Sequence, residues 1–424
     1  MPLRGLKRAQ AIGLFYLARL TPGILNLCLI LSLSARLPPE SYGLFSSWLA
    51  FSMGGAFLAF GWVSQSVARH ANAEDDYLQE SPESFVVGVI ASAAAAALVL
   101  APISLFVLPG TGFSLALLAG LSIILHGIHA VMSAALQARL RFTKYILVET
   151  SRPLFALAFC LIALFVLGSS KSPVGFYVAG QAVGITAACF IIRKALPRCV
   201  AAIRRTSEWK ALLPRLKVLF AYGAPISVWL GLTAGWPAIE RRIMVVLTSS
   251  EEVGRYAAEY DISFRAFVFV LLPITLYVQP FIFRDYSNGN LVKANALIRR
   301  AIIGQVALGS IFTFGFLAIV FNLLPALGYT TSMRASSVGV LCAAATAWQT
   351  ALTCHKWLEC QKKVYTMLLV LSAALIVGLG ISIACFALLQ VGAVSFAIGF
   401  LFAGISYCIG SYLIGLKLLR GVSA

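Results

Sequence analysis

Long apolar runs alternate with short polar breaks along the whole chain. A helix needs about 20 mostly apolar residues to cross a bilayer, and by this rule the pattern predicts twelve spanning helices. They lie at 10–34, 44–66, 84–107, 113–136, 150–168, 174–193, 218–247, 255–281, 300–324, 335–357, 366–389 and 394–416. The breaks are too short for a soluble catalytic or nucleotide-binding domain, so we expect any function to lie on helix faces inside the bilayer.

Two of these runs have unusual lengths or ends. The seventh is too long for a straight span, and Pro225 and Pro237 predict a kink, or an outer end that leaves the membrane. The first follows three basic residues, as a signal peptide would. Its apolar run continues for more than 20 residues and contains Arg19 and Pro22, which favours an uncleaved first span.

One short element occurs twice: Glu, two residues, Gly, one residue, aromatic. It begins at Glu40 and again at Glu251, so Gly43 and Gly254 lie 211 residues apart in a chain of 424. A repeated half inside such an apolar chain predicts two related six-helix bundles around a central cavity. We interpret the elements themselves as structural, because Glu suits a helix start and Gly lets two backbones approach.

Composition agrees with a membrane protein. The hydrophobic fraction is 60% and only 11% of residues are charged, against roughly 25% in soluble domains. The net charge of +18 would suit nucleic acid, but 25 basic residues lie in alternate breaks and at the termini, with 6 in the other breaks. This bias predicts cytoplasmic termini and contact with anionic membrane lipids rather than nucleic acid.

The most basic break joins the two halves. It contains Trp209, Leu212, Leu213 and Leu216 at helical spacing, which predicts an amphipathic helix on the inner leaflet. The expected domains are therefore an N-terminal bundle at 1–195, a basic cytoplasmic linker at 196–217 and a C-terminal bundle at 218–424. Six spans on each side give both bundles the same orientation, as in a parallel repeat.

These features resemble the multidrug/oligosaccharidyl-lipid/polysaccharide (MOP) exporter superfamily. The stretch from Arg36 to Phe45, followed by Gln65 and Ser66, looks most like the Wzx-type O-antigen flippase branch. The resemblance covers the architecture of the whole chain and implies a MATE-like fold that rocks between two states. Relatives usually carry an Asp-Arg pair near the outer end of helix seven, where this chain has Glu240, Arg241 and Arg242.

Charges inside the spans are the main candidates for cargo binding, because a charge at mid-span costs at least about 2.5–3.5 kcal/mol. Arg19 lies in span one and Arg265 in span eight, the helices on which peptidoglycan-precursor relatives place cavity arginines. Arginine binds a diphosphate through paired hydrogen bonds. The alternative is structural: Asp261, one turn before Arg265, pairs with it, and Arg19 snorkels to the interface.

Other polar residues are weaker candidates. Glu149 and Arg152 would form a gate pair, or simply an interfacial start of span five. His126 and His129 lie one turn apart, so they would couple transport to protons or hydrogen-bond a neighbouring helix.

Two further groups lie near predicted helix ends. Glu240, Arg241 and Arg242 would contact the sugar at the outer mouth. The alternative is that they are ordinary charges at the membrane interface, which are common. The stretch from Cys354 to Cys360 has residue types that can bind metal, but we interpret it as a helix end, and no metal or cofactor is expected.

Three functions remain to be weighed. The first is flipping of an isoprenoid-diphosphate-linked oligosaccharide across the cytoplasmic membrane of a bacterium, for surface polysaccharide biosynthesis, with assembly enzymes as partners. The second is a cation-coupled multidrug antiporter of the MATE branch. The third is a membrane glycosyltransferase or polymerase, but this chain lacks the paired acids and long outer loops that such an enzyme would need. A cation exporter needs carboxylates in its first bundle. Spans one to four contain none, which favours an anionic cargo and a transporter rather than an enzyme.

Overall fold

Helices make up the described chain. The computed structural model describes residues 5–70, 82–108, 112–139, 141–166, 173–192, 209–323 and 333–422, and no β-strand occurs in these ranges. The helices of the first half are α1 (Gly5–Arg36), α2 (Pro39–His70), α3 (Pro82–Ala95, a π-helical turn Ala96–Leu100, then Ala101–Val107), α4 (Phe113–Ala138), α5 (Phe142–Phe165) and α6 (Val174–Ile191).

The second half has the same number of long helices. They are α7 (Trp209–Leu247), α8 (Ser250–Ser287), α9 (Leu291–Ala318, then a π-helical turn Ile319–Leu323), α10 (Ala335–Cys354), α11 (Val364–Leu389) and α12 (Val394–Val422). A short helix, Lys356–Cys360, follows α10 after a turn at His355. Within the described residues, eleven helices are long and apolar enough to cross a membrane, and the described apolar part of α1, Leu20–Arg36, is shorter. The prediction of an all-α chain with about twelve spans is confirmed.

Several predicted boundaries differ from the structure, and the starts of α5, α7 and α9 differ most; α9 begins at Leu291 rather than at 300. Helix α5 begins at Phe142 rather than at 150, because the backbone is helical through the polar residues that interrupt the apolar run. Helix α7 begins at Trp209, so the amphipathic stretch of the predicted linker continues into span seven without a break. Three prolines lie inside α7, and the remainder of the linker, 196–208, lies outside the described residues.

The chain divides into two compact units by its internal contacts. Unit 1 is Met1–Leu37 with Leu44–Arg242, and unit 2 is Pro38–Gly43 with Ile243–Ala424. Most of α7 therefore packs in unit 1, where it lies along α2. A Cβ on Gly54 would come within 2.5 Å of the Cα of Gly235, and the hydroxyl of Ser227 donates to the carbonyl of Phe57 at 2.6 Å. The predicted division into bundles at 1–195 and 218–424 stays a prediction.

The two copies of the repeated element meet inside unit 2. A Cβ on Gly43 would lie 2.8 Å from the Cα of Gly254, and a Cβ on Gly254 would overlap the carbonyl of Pro39. The start of α2 and the start of α8 therefore touch backbone to backbone. Only a residue without a side chain fits at this crossing, which is the role that the sequence suggested for these glycines.

Two carboxylates of α8 bind the beginnings of other helices in unit 2. Glu259, which is 3% exposed, accepts a hydrogen bond from the backbone N–H of Arg334 at 2.8 Å and another from the hydroxyl of Ser337. Glu252 accepts from the backbone N–H of Ala393 at 3.1 Å. These bonds satisfy amide groups at the starts of α10 and α12, where helix geometry leaves N–H groups without internal partners.

Candidate functional site

Arg265 is the sequence-predicted cargo residue whose surroundings the structure describes best. It lies well inside α8, half-buried, in a helix that begins with Ser249 as its N-cap and with Glu251 and Glu252 in its first turn. Its Nε is buried and has no hydrogen-bond partner. The guanidinium therefore retains a donor, but a ligand reaches Nε only after a change in the packing around it.

Asp261 is the residue that the sequence offered as a structural partner of Arg265. It is 7% exposed, and its carboxylate accepts a hydrogen bond from the hydroxyl of Tyr42 at 3.0 Å. One partner of this carboxylate is therefore a tyrosine that lies 219 residues away in sequence. Asp261 stays a proposed member of the cargo site.

Aromatic side chains surround this part of α8. Phe264, the neighbour of Arg265 in sequence, stacks on Tyr260 with ring centroids 5.3 Å apart and an interplanar angle of 9°. Both rings also contact Phe400 of α12, at 5.2 Å and 5.8 Å. These rings hold the middle of α8 against α12, and this packing fixes the position of Arg265 within unit 2.

Arg19 lies in α1, but its side chain is outside the described residues, so its proposed contact with cargo remains a prediction. Glu240 and Arg241 lie in α7 and are buried, at 3% and 1% exposure. Arg241 donates to the hydroxyl of Ser46 on α2 at 2.6 Å. Of these neighbours on α7, Arg242 is the exposed one, so it is the more accessible to a sugar.

Arg152 lies deeper than the sequence suggested. Because α5 begins at Phe142, Arg152 is ten residues inside the helix, about 15 Å from its start at 1.5 Å per residue. It is half-buried, and its Nε is buried without a hydrogen-bond partner. Glu149 is also half-buried and lies seven residues inside the helix. The pair is therefore not in the first turn of α5, whereas its interfacial position and its gating role both stay predictions.

The two histidines of α4 form a polar cluster between helices in unit 1. Gln181 of α6 donates to Nδ1 of His126 at 3.0 Å and accepts from the hydroxyl of Ser122 at 3.0 Å. Nε2 of His129 lies 3.0 Å from the carbonyl oxygen of Val148 on α5. Both side chains therefore have partners on neighbouring helices, as in the second of the two interpretations above.

A third group was not recognised from the sequence as a site. His355, at the end of α10, contacts the hydroxyl of Tyr407 through Nδ1 at 3.1 Å and the carboxylate of Glu359 through Nε2 at 2.8 Å. Nζ of Lys356 donates to the same carboxylate oxygen at 2.7 Å. The signal in the sequence was His355 and Glu359 one turn apart, but Tyr407 is too distant in sequence to be found that way.

Comparison with known proteins gives the fold. No protein family and no curated protein matches this sequence. Solved structures do: an inward-facing multidrug resistance MATE family transporter of the MOP superfamily has a TM-score of 0.68 at 14% identity, covering 97% of this chain and 99% of the other. A eukaryotic MATE transporter gives a TM-score of 0.62 at 13% identity, over 97% and 96%.

The chain has the MATE fold. A MOP superfamily transporter from Pyrococcus furiosus shares it with a TM-score of 0.59 at 16% identity, covering 98% of this chain and 95% of the other. That structure is described as having a binding pocket of reverse polarity, which suggests a different function for it. At such low identity, the MATE fold sets the positions of helices, while the side chains that select a cargo must be argued from this chain itself.

One cleft in unit 2, of about 530 Å³, lies between α9, α10 and α12. Its hydroxyl residues Ser310, Thr313, Thr346 and Thr350 each donate to a carbonyl of their own helix. The cleft is therefore apolar in character, and it contains none of the charged candidates. We do not place the charged part of a cargo there.

Proposed function

We propose that this protein is a transporter that flips an isoprenoid-diphosphate-linked oligosaccharide across the cytoplasmic membrane of a bacterium, by alternating access. It would serve surface polysaccharide biosynthesis, alongside glycan-assembly enzymes, with both termini in the cytoplasm. The observation that carries the proposal is Arg265: a half-buried arginine inside a spanning helix, whose Nε has no hydrogen-bond partner.

The energetic argument is one of compensation. Holding an arginine at mid-span costs several kcal/mol unless a partner or water offsets it. Asp261, one turn away, is hydrogen-bonded to Tyr42. A diphosphate has both the charge and the planar pairs of acceptor oxygens that a guanidinium binds best. Arg19 would supply a second contact, and Arg242 is exposed and would meet the sugar.

The second candidate is a cation-coupled multidrug antiporter. The solved MATE structures fit it at least as well as they fit a flippase, since two of them are multidrug resistance transporters. Such a protein needs acidic side chains that a cationic drug or coupling ion can reach. In unit 2, however, the buried Glu259 binds the start of α10, and Asp261 is bonded to Tyr42. The two candidates predict opposite charges for the cargo: an anion for the flippase and a cation for the antiporter.

Binding to the purified protein in nanodiscs separates the candidates. We expect farnesyl diphosphate to bind and a lipophilic cationic dye not to bind. Arg265→Gln should weaken diphosphate binding roughly 10- to 150-fold, because a hydrogen bond to a charged group contributes about 1.5–3 kcal/mol. Arg265→Lys should recover part of the loss, since it keeps the charge without the planar fork.

The matched control is Arg255→Gln, which changes another half-buried arginine of the same helix. Its Nε is also buried without a hydrogen-bond partner, but its guanidinium is paired with Glu251. It should bind diphosphate as the wild type does. Equal losses in both variants would show a general effect of charge and refute a specific role for Arg265. Binding of the dye alone, lost in Asp261→Asn, would establish the antiporter instead.

A further inference from the structure

The apolar cleft of unit 2 has no part in the function proposed above. Helices α9 and α12 both pack against α10, and the cleft, about 530 Å³ in volume, is the space left between them. Val306 of α9 and Ile405 and Ile409 of α12 are exposed along its sides, so it opens to the exterior of unit 2. We propose that this cleft binds one acyl chain of an anionic phospholipid, and that Arg299 binds the phosphate of the same molecule.

The length of the cleft matches one leaflet of a bilayer. Its lining on α9 extends from Ile302 to Phe314, which is about 18 Å at 1.5 Å per residue. Half of the hydrocarbon core of a bilayer is about 15 Å thick. Val306, Ser310 and Thr313 lie between these two residues at helical spacing and share one face of α9. A single extended chain that runs along α9 therefore fits the cleft.

The lining makes no demand for a polar occupant. Its serine and threonine hydroxyls each donate to a carbonyl of their own helix, so a hydrocarbon chain leaves none of these donors unsatisfied. Apolar walls alone do not select one lipid from another, because the chains of all lipids are similarly apolar. The selection of a particular lipid must therefore come from the residues that meet its headgroup.

The cleft is closed at the end where α9 begins. There the hydroxyl of Tyr412 on α12 donates to the side-chain oxygen of Asn295 on α9 at 3.3 Å. Tyr412 also packs against an apolar cluster that includes the fully buried Ile298. Helices α9 and α12 therefore meet just before the cleft starts. The topology predicted from the sequence places this end on the cytoplasmic side.

Arg299 lies at this closed end, about one turn before Ile302 and on the same face of α9. Its side chain is exposed, and it makes no ion pair with a carboxylate among the described residues. Arginine binds phosphate through paired hydrogen bonds. Lys293 and Arg300 are exposed on the same helix, and such basic groups at the cytoplasmic end of a cleft between spanning helices favour a headgroup with net negative charge.

The first experiment tests the headgroup. Native mass spectrometry of the purified full-length protein in detergent compares dioleoyl phosphatidylglycerol with dioleoyl phosphatidylcholine, which has the same chains. We expect one phosphatidylglycerol to bind with a clear preference. Arg299→Gln should weaken its binding roughly tenfold or more, as expected for the loss of a hydrogen bond to a charged group, and should remove the preference.

The matched control is Arg300→Gln. It changes the next arginine of α9, which is also exposed but lies about 100° around the helix from Arg299. This variant should keep the preference for phosphatidylglycerol. Equal losses in the two variants, or no preference in the wild type, would show only general attraction between charges and would overturn the site.

The second experiment tests the cleft. Phosphatidylglycerol with a photoactivatable group in its acyl chain is cross-linked to the protein in nanodiscs, and the labelled peptides are identified. We expect labels on α9 and α12, and fewer of them in Ser310→Phe, whose ring fills the cleft from an exposed position. The control Ile311→Phe changes a residue that is 69% exposed and outside the lining. Labels that Ser310→Phe does not reduce would refute a chain in the cleft.

The proposed cargo also has a chain and phosphates, so the two lipids must be told apart. The cargo site was placed at Arg265 on α8, a helix that does not line the cleft. We therefore expect phosphatidylglycerol to stay bound when farnesyl diphosphate is added at the same concentration. Displacement would assign the cleft to the cargo and overturn the proposal. Failure of farnesyl diphosphate to bind at all would contradict the flippase and leave the phospholipid site standing.

Discussion

Gly254→Ala is the substitution for which the structure gives the clearest energetic expectation. In an open helical position, Ala is more favourable than Gly by about 0.5–1 kcal/mol. At position 254 the added methyl would overlap the carbonyl of Pro39 and lie 3.0 Å from the amide nitrogen of Glu40. Overpacking usually costs about 1–3 kcal/mol, and we take the upper end because a backbone group cannot rotate away. The net effect is a loss of about 2 kcal/mol of stability.

The assay is the thermal unfolding of purified protein in detergent, followed by tryptophan fluorescence. Gly304→Ala is the matched control, since a Cβ on that helical glycine of α9 meets nothing within 4 Å. We expect the unfolding temperature to fall in Gly254→Ala, to fall in Gly43→Ala, and to stay equal or rise in Gly304→Ala. If Gly254→Ala unfolds at the temperature of Gly304→Ala, the two repeated elements do not cross backbone to backbone.

Three further predictions concern other parts of the chain. Glu259→Gln should lower stability by about 1–3 kcal/mol, because it weakens charge-assisted bonds to the start of α10, whereas Glu251→Gln at an exposed site should change the unfolding temperature little. Arg19→Ala should abolish polysaccharide export from cells while the protein still inserts, and Arg19→Lys should restore part of it; normal export at native expression would leave the snorkelling interpretation. A single cysteine is placed at Arg204 in a variant without the native cysteines. It should react with a membrane-impermeant reagent only after the cells are permeabilised. Labelling in intact cells would contradict the cytoplasmic assignment.

Hydropathy predicted most of the fold, because a bilayer allows few alternatives to apolar helices of one length. All twelve predicted spans correspond to helices of the structure. The errors occur where a helix continues beyond its apolar part, as it does around Lys144 in α5 and from Trp209 onward in α7. Helix propensity and packing extend those helices, and a count of apolar residues does not detect either effect.

Partners between helices were much harder to predict from sequence. Spacing placed Asp261 beside Arg265 correctly on one helix, yet it could not show that Tyr42 takes the bond to Asp261. In the same way, the one-turn spacing of His355 and Glu359 gave no indication of the contact with Tyr407. Local periodicity specifies which residues share a face, whereas the partner on another helix depends on the three-dimensional arrangement of the chain.

The bonds that Glu252 and Glu259 make have a consequence for motion. Since one helix holds the starts of α10 and α12 through its own carboxylates, α8 cannot slide past them by one turn without leaving backbone amides unsatisfied. Each buried amide left without a partner costs about 1–3 kcal/mol. Sliding is therefore disfavoured within unit 2 near these bonds. The bending that remains possible in α8 is concentrated at Pro273 and Pro280, where the missing N–H groups already weaken the helix.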